Sequence, residues 1–207
     1  MKFITKSKLP LLIILIIGLE LLIYFWALLT TQSDVVIDKC ARNSGRASAV
    51  INLIILSMVG YYGLIKIYKN ELLADKLKIL LTLFAINHYI HFYFVIQRFI
   101  HHSKNFNIIQ NKHGLFIIIC ILLLPILLWL YKKLNWIIYI IIISHLFNVS
   151  YFIMETLYEK ITPAKPAYHN QFGIAITLMA LAFIVLRITI EIKNLLIAEK
   201  QISSSLK

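Results

Sequence analysis

Apolar residues in this chain come in six long runs separated by short polar segments. The runs cover residues 9–29, 47–68, 79–100, 115–131, 136–157 and 172–190. Roughly 20 apolar residues in helical form span the hydrocarbon core of a bilayer. The pattern therefore predicts an all-α fold, a polytopic transmembrane bundle of six helices. The fourth run is the shortest and contains Pro125, which is expected to kink it. A continuous helical stretch through Asn70 and Lys78 is expected to join the second and third runs. The first run follows Lys2, Lys6 and Lys8, as in a signal peptide. It is too long for one and no small-residue cleavage site follows, so it reads as an uncleaved anchor.

Composition supports a membrane setting. Of the 207 residues, 60% are hydrophobic and 14% are charged. Soluble domains carry about 25% charged residues, and a soluble fold of this size would leave too much apolar surface wet. The length leaves room for one membrane domain over 1–207 and no separate soluble domain.

The net charge is +12. Its basic residues sit between apolar runs and form no stripe interleaved with stacking aromatics, so the partner implied is a lipid bilayer with anionic headgroups and not nucleic acid. Their distribution predicts orientation. With the N-terminus inside, thirteen of the 21 Lys and Arg fall in inner segments and eight in outer ones. Both termini are then cytoplasmic. The Lys, Ile and Asn bias points to an AT-rich genome, and so to a bacterial inner membrane. Cys40 falls in an expected polar loop and Cys120 in an apolar run, with no pairing expected between them.

Polar residues inside the runs carry the candidate chemistry, because ionisable groups at membrane depth are costly. The third run holds Asn87, His88, His91, Gln97 and Arg98. Asn87, His91 and Arg98 share a helical face. The fifth run holds His145, Asn148, Tyr151 and Glu155, the last three on one face. Both helices run in the same direction, and an Arg98–Glu155 pair would relieve two charges at once. That register puts His88 and His145 at one depth, with His91 level with Asn148. Two imidazoles on two helices are what one b-type haem needs, so His88, His91 and His145 are candidate cofactor ligands in a redox role. The position 14 after His145 is Glu159, which removes a second haem site.

Three other readings stand beside this one. Asn87, Arg98, Asn148 and Glu155 make a polar network that joins helices without a cofactor, as in a structural or assembly protein. His101, His102, His113 and His169 are candidate metal ligands, although the HxxxH and HxxHH boxes of membrane di-iron enzymes are absent. A small-molecule transporter is the third, with Pro125, Gly60 and Gly63 as the places where a helix could break. Glu20 stands alone in the first run and is expected to find Asn52, Ser57 or a histidine. The segment 161–173, stiffened by two prolines, could cap a site. There is no GxSxG, HExxH, phosphate loop or dinucleotide fingerprint. All seven histidines lie at mid-depth or outward, so the working site is expected to open on the outer face.

Overall fold

The protein is described by a computed structural model covering residues 9–33, 35–102, 112–130, 134–158, 161 and 168–205, of which 112–114, 198–200 and 202–205 are described by backbone alone. The described residues are all-helical. The elements are α1 (Leu9–Thr30), α2 (Val36–Tyr62), α3 (Leu64–Lys69), α4 (Glu71–His101), α5 (Lys112–Leu130), α6 (Trp136–Tyr158) and α7 (Tyr168–Ser205). Five of them, α1, α2, α4, α6 and α7, are long and apolar enough to cross a membrane. The apolar part of α5, Leu115–Leu130, is shorter, and Pro125 sits inside it.

Two boundaries differ from the hydropathy pattern. The polar stretch after residue 35 is helix, so α2 begins eleven residues before the second apolar run. Its apolar residues recur once per turn, with Val36, Cys40 and Ala41 buried, and this face binds the stretch to its neighbours. Cys40 is thus not in a loop. It is fully buried in a small core with Ala27, Val36, Ala41 and Phe94.

The second and third runs are also not one continuous helix. Gly63 ends α2 with φ +76° and ψ 151°, a region open to glycine because it has no Cβ. Asn70 then caps α4. Its Oδ1 accepts the Leu72 and Leu73 N–H groups at 3.1 and 3.2 Å, which closes two orphan donors of the first turn.

α2 is the central helix, packing against α1, α4, α6 and α7. α4 packs chiefly on α2, α5 and α1, and α6 on α7 and α5. The sequence leads one to expect direct packing of the third run against the fifth. Here α2 lies between them. The outer faces of α1 and α7 expose large apolar residues such as Leu22, Phe25, Phe183 and Leu186. A surface of that kind is compatible with lipid.

Candidate functional site

The polar interior is built on α2. Ser44, Ser48 and Asn52 recur every four residues and are all buried. A step of four residues turns a helix by about 40° beyond a full turn. The stripe therefore winds, and each member meets a different neighbour. Ser44 Oγ donates to Glu20 Oε1 of α1 at 2.8 Å. Ser48 Oγ donates to Asn87 Oδ1 of α4 at 3.0 Å. Asn52 Nδ2 donates to Ser150 Oγ of α6 at 3.2 Å. Asn87 closes the loop by donating its Nδ2 to Glu20 Oε1. Glu20 is 3% exposed, yet its second oxygen, Oε2, has no partner. The expected partners of Glu20 were others: Asn52 serves Ser150, and Ser57 is exposed.

The histidines gather beside this seam. His88 and His145 are buried. The His88 and His91 rings lie 5.4 Å apart, and Phe84 stacks on His88 at the same distance. Gly45 of α2 makes room for His91: a Cβ there would stand 2.9 Å from His91 Cε1. His145 is near enough to His88 for electrostatic interaction. His145 also lines a cavity of about 300 Å³ between α5 and α6 with Cys120, Ser144 and Asn148. The Nδ1 atoms of His88 and His145 are buried without partners. A metal-bound imidazole ordinarily has its other ring nitrogen held by a carbonyl or carboxylate.

Other sequence candidates lie elsewhere. Arg98 does not meet Glu155. Its Nε bonds Asp38 Oδ1 at 2.9 Å, and His102 Nε2 lies 3.1 Å from the same oxygen. Glu155 and Tyr151 are exposed, and Asn148 donates back to Ser144 O of its own helix at 2.8 Å. The inward face of α6 is instead Ile142, His145, Leu146, Val149 and Ser150. The two polar faces were in the right helices, but the α6 face points away from the core.

His101 is exposed with its ring 5.4 Å from that of His102. His169 is exposed, and Arg46 Nη2 lies 3.4 Å from its Nε2. The side chain of His113 is outside the described residues, as are residues 162–167 of the segment 161–173. Among the described residues no group of three His, Cys, Asp or Glu is placed to hold a metal ion.

Below Asn52 the core turns apolar, through Ile55, Leu56 and Val59 of α2 and Leu77, Leu81 and Phe84 of α4. A second polar cluster then follows at the Gly63 break. Arg187 Nη2 donates to the Tyr62 carbonyl at 2.7 Å. Glu191 Oε1 accepts the Ile65 N–H at 3.1 Å, and Tyr139 donates its hydroxyl to Glu191 Oε2 at 3.1 Å. A cation thus meets the carboxyl end of α2 and an anion the amino end of α3, each matching the local backbone charge. Sequence reading missed this clamp. The four-residue spacing of Arg187 and Glu191, set against the paired glycines Gly60 and Gly63, was the available signal.

The larger cavity, about 440 Å³, lies at this end, lined in part by Tyr68, Lys69 and Trp136. That is opposite to the Asp38 and Arg98 end, where the sequence led one to expect the working site to open. No protein-family model, no curated protein and no solved structure matches this chain.

Proposed function

We propose that this is a multi-pass membrane protein that takes up protons from the face bearing Asp38 and Arg98 and holds them at Glu20, as a proton-coupled carrier does. In this reading both termini are cytoplasmic and the Asp38 face is external, as the Lys and Arg distribution implies. The observation that carries it is Glu20 Oε2, a carboxylate oxygen buried at mid-helix with no partner. A buried polar atom left open is a place for a bound water, ion or proton. The seam supplies the rest. Ser44 and Asn87 hydrogen-bond Glu20, Ser48 holds Asn87, and the apolar layer at Ile55, Leu56 and Val59 lies beyond Asn52.

The test is proton flux into vesicles holding the reconstituted protein, read with an internal pH dye under an imposed potential. Flux above that of empty vesicles is expected, and Glu20→Gln should abolish it with helical content kept. Equal flux for the wild type and Glu20→Gln sinks the proposal.

A redox reading also has one observation behind it, the convergence of His88, His91 and His145 beside the seam. One haem b on His88 and His145 would give the purified protein a Soret band that His145→Ala removes. The unsupported Nδ1 atoms weigh against it.

A further inference from the structure

The cavity of about 440 Å³ at the Gly63 end falls within the size range of small-molecule sites, roughly 300–1,000 Å³. Its walls come from α3, α6, α7 and residues 134 and 135. Ile65, Leu134, Trp136 and Leu195 make them mostly apolar. Of its polar groups, the Tyr139 hydroxyl is committed to Glu191. Glu191 itself is engaged by the Ile65 N–H as well. Asn135 Oδ1 accepts the Ile138 N–H at 2.8 Å. The Tyr68 hydroxyl is buried and does not reach the cavity surface. Lys69 is exposed and makes no ion pair among the described residues. A cation at the edge of an apolar wall is complementary to an anionic oxygen borne on an apolar chain.

We infer that this cavity is a binding site for an anionic phospholipid, its phosphate at Lys69 and its first methylenes along Ile65, Leu134 and Leu195. The position fits. Lys69 ends α3 and Trp136 begins α6, so the site lies at one end of the bundle, where Trp and Lys meet headgroups. Basic recesses between membrane helices take anionic headgroups for this reason. A zwitterionic lipid would bring its own cation toward Lys69. A free phosphate would leave the apolar wall in water.

The experiment uses the full chain with Trp26→Phe and Trp129→Phe, which leaves Trp136 as its one tryptophan. Brominated-chain phosphatidylglycerol, brominated-chain phosphatidylcholine and inorganic phosphate are titrated separately in detergent. Circular dichroism checks that each variant keeps its helices. Phosphatidylglycerol is expected to quench Trp136 at lower concentration than phosphatidylcholine. Lys69→Gln should weaken it about fivefold, the contribution of one basic residue at an anionic surface. Tyr68→Phe, which removes only a hydroxyl that does not reach the cavity surface, should leave it unchanged. Phosphate should not compete. Equal quenching by the two lipids, no change in Lys69→Gln, or displacement of phosphatidylglycerol by phosphate each overturns the inference.

Discussion

Arg187 and Glu191 stand one helical turn apart on α7 and hold opposite sides of one break, Arg187 on the Tyr62 carbonyl and Glu191 on the Ile65 N–H. A helix interrupted in an apolar bundle exposes carbonyls and amides that lipid cannot satisfy. The pair supplies both missing partners from one neighbouring helix. The break is therefore a built feature of the fold.

Gly63 should be intolerant of any side chain. Its φ of +76° with ψ of 151° is a glycine conformation, and an added Cβ would press into both Glu191 and Arg187. Gly63→Ala should cost about 1–3 kcal/mol. In a chain of this size that lowers the thermal midpoint by roughly 2–4 °C per kcal/mol. Gly60→Ala is the control, since its Cβ would meet Phe183 Cβ at an ordinary 3.4 Å. Equal midpoints for the two variants would mean that the break carries no strain-free requirement for glycine.

Gly45 and Gly18 should respond with opposite signs to the same change. Alanine at Gly18 meets nothing within 4 Å and should stabilise α1 by up to about 1 kcal/mol, the helix-propensity difference. Alanine at Gly45 meets His91 at 2.9 Å and should destabilise by about 1–3 kcal/mol through overpacking. Thermal unfolding in detergent reads both. A stabilising Gly45→Ala would show that α2 and α4 are not held as closely as described.

Glu20→Leu and Glu20→Gln should separate packing from protonation. Leucine leaves the Asn87 amide and the Ser44 hydroxyl without their acceptor, at about 1–3 kcal/mol. Glutamine keeps a carbonyl oxygen for both and should unfold near the wild-type temperature. A large loss for Glu20→Gln would indicate that the charge itself organises the site.

Arg98 should couple to Asp38 and not to Glu155. The Arg98 side chain is 50% exposed, so the pair is screened, and a coupling of about 0.2–1 kcal/mol is expected from a double-mutant cycle of Arg98→Ala with Asp38→Asn. The cycle of Arg98→Ala with Glu155→Gln should give zero within error. Finding the larger coupling with Glu155 would reverse the helix arrangement at this end.

The candidate site was only partly legible in the sequence. Asn87, His88 and His145 stand out because polar groups inside apolar runs are conspicuous, and all three are buried. Ser44, Ser48 and Asp38 were hidden for the opposite reason. Asp38 and Ser44 lie in a stretch polar enough to read as loop, and Ser48 is a small hydroxyl at the very start of the second apolar run. The face of α6 was misjudged because Asn148, Tyr151 and Glu155 are its most polar residues, whereas the buried stripe through His145 and Ser150 is mostly apolar.

What local pattern decided was the all-helical class and the positions of the apolar helices. Lipid forces each apolar segment to satisfy its own backbone hydrogen bonds, so the run of side chains along the chain suffices to locate a helix. What only the tertiary structure decided was partnership. Arg98 is claimed by Asp38 because α2 starts early enough to bring that carboxylate alongside. Asn87 and Ser150 are joined to Ser48 and Asn52 because α2 lies between α4 and α6. Which helix occupies the centre, and how each is rotated about its axis, depends on the packing of all of them together, and no single run of residues encodes it.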